Sequence, residues 1–245
     1  MQIDIKSREA RLADNPTLEK KSIDVVSKIL SKNDIKANEL RQRYKELGLY
    51  VINLMSSPGS GKTTFLESLS QRRDFRFCVL EGDLQTNRDA QRLMDKGVSA
   101  YQITTGEACH LEAAMIESAL NKLQEQCDMA QMDYLFIENV GNLVCPASYD
   151  LGAHLNIVLL STTEGDDKIL KYPTMFMCAD AVIISKADVM EYMGFSVERA
   201  RADLAQLKAN VPLFLLSSKQ EQSIESVCNF IAQKRAQNYQ STHKF

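Results

Sequence analysis

Val51-Ile-Asn-Leu-Met-Ser-Ser-Pro-Gly-Ser-Gly-Lys-Thr-Thr64 reads as an apolar strand, a Gly/Ser/Pro loop and the first turn of a helix. That is the setting of a phosphate-binding loop, in which backbone N–H groups converge on one concavity and the helix N-terminus adds positive dipole. Ser57, Pro58, Gly59, Ser60, Gly61, Lys62, Thr63 and Thr64 are the expected nucleotide contacts. Lys62 would reach the β- and γ-phosphates, and the Thr63 hydroxyl would ligate Mg²⁺. Ser56 stands where the strict G-x-x-x-x-G-K-[ST] pattern has its first glycine.

Working outward, short and nearly continuous apolar runs are expected as strands at 49–55, 75–81, 99–104, 133–138, 155–161, 181–185 and 212–216. Helical patterns lie between most of them, at 62–71, 85–96, 107–126, 197–209 and 224–237. This alternation predicts an α/β fold, a doubly wound and mainly parallel sheet covered on both faces, with ligands at the carboxyl ends of the strands. Residues 1–48 form an expected helical extension ahead of a P-loop domain at 49–245. One helix is expected from the Asn15-Pro16 cap to about Ser31, a second from Asn33 to Leu47 ahead of Gly48, with Ile35, Leu40, Tyr44 and Leu47 on one apolar face.

Length and charge exclude several classes. A chain of 245 residues can bury a full core, and a net charge of −3 gives no basic field for nucleic acid or an anionic membrane. No apolar run approaches the ~20 residues of a membrane span, and the N-terminus lacks a signal-peptide core. Six cysteines without a C-x-x-C pair suit a reducing compartment, so a cytoplasmic location is expected.

Acidic residues end two of the expected strands. A phosphate-bound Mg²⁺ needs hard carboxylate oxygens from strands beside the loop. Asp83 and Glu138 fit, one for the metal and one to orient the attacking water, with their order left open. Ser185-Lys186-Ala187-Asp188 resembles the N-K-x-D motif of GTPases: a carboxylate at Asp188 could accept from guanine N1–H and its 2-amino group, with the Lys186 stem over the purine. Ser217-Ser218-Lys219 resembles the S-A-K loop that touches the base through its backbone.

Cys109-His110 is expected at the start of a helix, and Cys145-Pro146 past the Glu138 strand in an extended conformation. Adjacent residues on a regular helix diverge by about 100°, so Cys109 and His110 alone chelate poorly. With Cys145 they supply three donors suited to Zn²⁺ or Ni²⁺, and two copies across a two-fold axis would complete the coordination. Cys78, Cys178 and Cys228 read as core thiols and Cys127 as a loop thiol without partners; His154 and His243 lack convincing partners.

The segments Asn53–Thr64, Glu81–Thr86, Cys109–Leu111, Glu138–Ala147 and Thr163–Lys168 together resemble the nickel-incorporation GTPases of hydrogenase maturation, the HypB type, over roughly residues 33 to 230. The string Glu138-Asn-Val-Gly-Asn-Leu-Val-Cys-Pro146 is not a generic GTPase motif. Urease-maturation GTPases are similar in plan but resemble these segments less closely. The resemblance implies a SIMIBI-class P-loop NTPase that hydrolyses GTP to GDP and forms a homodimer gated by nucleotide. It implies Ni²⁺ or Zn²⁺ held through Cys109, His110 and Cys145 at the dimer interface. Nickel would pass to a hydrogenase large-subunit precursor with a second nickel metallochaperone. Four departures stand out: no cysteine-rich N-terminal motif, Glu107 where Lys is common, Ser185 for Asn, and a fifth loop (220–224) without its usual Gly. The alternative is a divergent nucleotide-binding paralogue, or a urease-type nickel-insertion GTPase with a different client.

Overall fold

The computed structural model describes residues 20–84, 88–220 and 222–242. Its centre is one seven-stranded sheet in which all the paired strands are parallel. The strands are β1 (Tyr50–Ser56), β2 (Phe77–Asp83), β3 (Ser99–Thr104), β4 (Tyr134–Glu138), β5 (Leu155–Ser161), β6 (Ala181–Ser185) and β7 (Leu213–Leu215), in the spatial order β3-β2-β4-β1-β5-β6-β7. Every expected strand is present, with ends shifted by a few residues. The helices are α1 (Lys20–Glu46), α2 (Lys62–Ser70), α3 (Arg88–Met94), α4 (Ala113–Gln126), α5 (Lys168–Lys171), α6 (Pro173–Cys178), α7 (Val197–Leu207) and α8 (Gln222–Thr242).

Strand β1 lies between β4 and β5, at the point where the strand order reverses, and is buried along its whole length. Its side chains alternate between faces. Ile52 and Leu54 meet Phe65, Leu66 and Leu69 of α2 with Val227 and Ile231 of α8. Val51 faces α1 and α4 in a second cluster, and Met55 enters a third with residues of α6 and α7. Fully burying each such side chain stabilises the fold by roughly 1.5–3 kcal/mol. The phosphate-loop stretch therefore starts from the most constrained strand of the sheet.

Two expectations about the N-terminal region change. A single helix, α1, runs through Ser31 and Asn33, where a break was expected. Asn33 is buried, and its side chain donates to the Asp150 carbonyl (2.8 Å) while accepting from the Ala113 amide (2.8 Å). Its polarity signals a tertiary bridge, not a cap. The apolar face is Ala37, Leu40 and Tyr44, and Ile35 points outward with 62% of its surface exposed. The Asn15-Pro16 cap and His243 lie outside the described residues.

Candidate functional site: a phosphate loop joined to a thiol–imidazole cluster

The loop after β1 turns through Gly59 (φ 71°) and Gly61 (φ 94°), both in the left-handed region that glycine permits, and enters α2 at Lys62. Ser56 proves integral to it. Its hydroxyl donates to the Ser57 carbonyl (2.7 Å) and accepts from the buried Lys62 ammonium (2.9 Å). Ser60 also bonds the Ser57 carbonyl (2.7 Å), and its Oγ lies 2.8 Å from Glu164 Oε1. Glu164 belongs to a capping box at the end of β5.

Behind Lys62, Thr63 Oγ1 donates to Glu138 Oε1 (2.8 Å), so the β4 carboxylate lies directly beside the expected Mg²⁺-ligating hydroxyl. Glu81, on the adjacent strand, pairs in register with Glu138. Both are buried, and one oxygen of each, Oε2, has no hydrogen-bond partner among the described residues. Burial, reinforced by the Glu138 charge, pushes Glu81 up to about 8; burial pushes Glu138 up to about 7 against the attraction of Lys62. Orphaned carboxylate oxygens beside a threonine hydroxyl are the donor set a hard divalent cation takes. Asp83 sits farther out, with Oδ1 accepting from the Leu84 amide (2.7 Å).

Glu81 and Glu164 carry no role in the sequence reading. For Glu81 the signal was available: residues two apart on a strand share a face, so Glu81 points the same way as Asp83. A pH dependence follows. Because the pKa values of Glu81 and Glu138 are raised, the folded state binds more protons than the unfolded one between about pH 4.5 and 8. Stability therefore falls as pH rises through that window, each tenfold change in a group's acid constant on folding being worth about 1.4 kcal/mol. Thermal melts of nucleotide- and Mg²⁺-free protein are expected to give a lower Tm at pH 8 than at pH 6. Glu81→Gln should flatten that slope; an unchanged slope would contradict the pairing.

On the other side of the loop, Ser185 Oγ donates to the Ser60 carbonyl (2.6 Å), so the serine that replaces asparagine still ties the base segment to the phosphate loop. Lys186 adopts a left-handed conformation (φ 56°) and, with Ser60, Gly61, Thr64, Phe65 and Ser218, borders an open cavity. Asp188 accepts from Ser217 Oγ (3.1 Å) and pairs with Lys219 (3.0 Å), whose hydrogen bond holds its carboxyl below the usual range.

The expected helix at 107–126 starts later, at Ala113, so Cys109 and His110 occupy a loop that opens with Gly106 in the left-handed region (φ 65°). The correction has a physical reason: off the helix, neighbouring side chains need not diverge, and Cys109 and His110 both turn toward Cys145. Cys145 is not extended; it opens a short 3-10 turn (Cys145–Ser148) with Pro146 in its first positions, where a missing N–H costs nothing. The two sulfurs are 3.0 Å apart, Cys109 Sγ is 4.0 Å from His110 Nδ1, and one donor atom from each residue fits within 4.8 Å of the others. The hydrogen bond shared with Cys109 and burial push the Cys145 thiol up to about 11. Asn33 braces the cluster, joining the amide that follows the Cys109 loop to the carbonyl that follows Tyr149.

The cluster adjoins the phosphate loop. A side chain at Gly141 would place its Cβ 2.8 Å from Pro58 Cα, so the connection leaving Glu138 rests on the loop backbone. Asn142 Oδ1 then accepts from the amides of Val144 (2.7 Å) and Cys145 (3.2 Å).

The remaining candidates are structural. Cys127 is buried and does have a partner: a hydrogen bond from Cys78 holds it down to about 6. His154, kept neutral by burial with its pKa lowered to about 4, accepts from the Val51 amide (3.0 Å) and stacks on Tyr50.

A family model described as the CobW/HypB/UreG nucleotide-binding domain matches residues 50–214. The chain belongs to this family. Within it, the chain is 78% identical over 239 residues to a hydrogenase/urease maturation factor HypB of Helicobacter hepaticus, covering 98% of this chain and 99% of the relative. It is 62% identical over 240 residues to the corresponding Helicobacter pylori factor, with the same coverage. A crystal structure of HypB from Helicobacter pylori in complex with nickel superposes with a TM-score of 0.84 at 64% identity, covering 87% of this chain and all of that one. The chain is therefore a HypB-type member of the family, with the doubly wound P-loop NTPase fold. No described helix is long and apolar enough to cross a membrane.

Proposed function

We propose that this chain is a GTP-hydrolysing metallochaperone that carries nickel, with zinc as a second cargo, and assists nickel insertion during hydrogenase maturation. The observation that carries the reading is the convergence of Cys109, His110 and Cys145 on a connection that starts at Glu138, beside the phosphate loop. Nickel in the Helicobacter pylori relative's structure supports the choice of cargo.

Lys62 and the loop amides hold the β- and γ-phosphates. Thr63 and Glu138, which already touch, hold Mg²⁺ directly or through water. Bound there, Mg²⁺ would neutralise charge on the phosphate oxygens. Asp83, nearer the mouth, orients the attacking water and receives its proton as the water oxygen bonds to the γ-phosphorus and the bridge to GDP breaks. Lys186 and Asp188 select guanine, Lys219 yielding the carboxylate to the base, with Ser217 and Ser218 closing over it. A nucleotide-gated homodimer would bring two copies of the three-donor cluster together and complete the metal's coordination. The partners are a second nickel metallochaperone and a hydrogenase large-subunit precursor, in the cytoplasm, where the free thiols persist.

The test is turnover of GTP against ATP, with and without Mg²⁺. Mg²⁺-dependent hydrolysis with a strong preference for GTP is expected; equal use of ATP or indifference to Mg²⁺ would contradict the reading.

A further inference from the structure

Three sides of the His110 ring are engaged, and two of the engaging groups have no role in metal binding so far. Its Nδ1 edge faces Cys109 Sγ at 4.0 Å, with Cys145 Sγ 3.0 Å beyond that sulfur. Its opposite nitrogen, Nε2, lies 3.5 Å from Glu112 Oε1. Nε2 is buried, and among the described residues it makes no hydrogen bond; the Glu112 carboxylate lies close to it but unbonded. One face of the ring stacks on Tyr149, with centroids 3.9 Å apart and planes within 17°.

Glu112 is also the residue that caps α4, yet its side chain bonds none of that helix's free amides. A capping carboxylate normally satisfies such amides; this one lies beside the imidazole. Tyr149 arrives from the other metal segment, four residues after Cys145. The two contacts bear on different degrees of freedom: the ring stack restricts the plane of the imidazole, and a carboxylate at this position can restrict its rotation within that plane once Nε2 closes on it.

We infer that Glu112 and Tyr149 are positioning residues of the metal centre, and that on metal binding they make Nδ1 of His110 the metal-binding nitrogen while Nε2 keeps its proton and donates a hydrogen bond to Glu112. The inference rests on the reading of Cys109, His110 and Cys145 as a nickel site. A carboxylate behind a ligating histidine fixes the ring and increases its donor strength, and losing such an outer partner costs about 10–100-fold in metal affinity. The same pair would favour a borderline cation that takes imidazole beside thiolate, Ni²⁺ or Zn²⁺, over a hard one.

The experiment uses the full-length protein loaded with Zn²⁺, which is diamagnetic, and reads the imidazole ¹⁵N and ¹³C shifts. With three histidines in the chain, assignment is direct. Metal on Nδ1 and a proton on Nε2 are expected. Competition titrations with Zn²⁺ and Ni²⁺ should show Glu112→Ala weakened by about 10–100-fold, Glu112→Gln recovering most of the loss because its amide oxygen still accepts, and Tyr149→Leu weakened in the same direction. Metal on Nε2, or wild-type affinity in Glu112→Ala, would overturn the assignment. The shift measurement needs no variant, so it decides the matter even if Glu112→Ala folds poorly. Unchanged affinity in Cys145→Ala would instead overturn the metal site itself, and this inference with it.

Discussion

Lys62→Ala is expected to lower kcat for GTP hydrolysis by at least about 10²–10³-fold, the range for removing one preorganised group aimed at developing charge. The position leaves little room for substitution by a neighbour. The Lys62 ammonium is buried and held by Ser56 Oγ at 2.9 Å, pointing into the loop. It is also the positive charge that opposes the desolvation of Glu138. Removing it takes away the phosphate contact and leaves two buried carboxyls with less compensation. Single-turnover kinetics at saturating GTP separate the chemical step from binding. A rate within threefold of wild type would contradict the role given to Lys62.

The second large effect is expected at Cys145. Cys145→Ala removes one of three donors that the fold brings within 4.8 Å of one another. The loss of nickel affinity should exceed the 10–100-fold typical of losing an outer-sphere partner. Cys145 is also the ligand best placed to respond to nucleotide. Glu138 touches Thr63, Gly141 rests against Pro58 with no room for a side chain, and Asn142 holds the Cys145 amide. A loop that relaxes when the γ-phosphate leaves is therefore expected to shift the turn carrying Cys145. Cys109 and His110 lie on a separate loop after β3, whose link to the nucleotide runs through Asp83. An unequal movement of the two segments would change the sulfur–sulfur spacing, and with it the affinity. Cys145→Ala should thus lose both the tight binding and its dependence on nucleotide.

The strands were legible because a buried parallel strand is a nearly continuous apolar run, and β1, β4 and β5 are such runs ended by polar residues. The phosphate loop was legible because its glycines and Lys62 answer a backbone requirement. The cluster of Cys109, His110 and Cys145 was legible as residue types, but its geometry was not. The sequence near Cys109 looks helical, and only the late start of α4 frees two adjacent side chains to converge. Glu81 was missed although its spacing from Asp83 puts the two on one face; that it lies buried depends on the register of β2 against β4, which no local pattern records. The unbroken α1 shows the same limit, since Asn33 imitates a cap while serving as a bridge to Asp150 and Ala113. The short helices α5 and α6 had no periodicity long enough to read.

The central claim is that nucleotide state sets metal affinity, and a competition titration of Ni²⁺ against a chromophoric chelator tests it most directly. The protein is held with a non-hydrolysable GTP analogue or with GDP, each with Mg²⁺, with Cys145→Ala as control. Nickel affinities that differ between the two states by about tenfold or more, equivalent to about 1.4 kcal/mol of coupling, with the difference lost in Cys145→Ala, are the expected result. Equal affinities in the GTP-analogue and GDP states would contradict it.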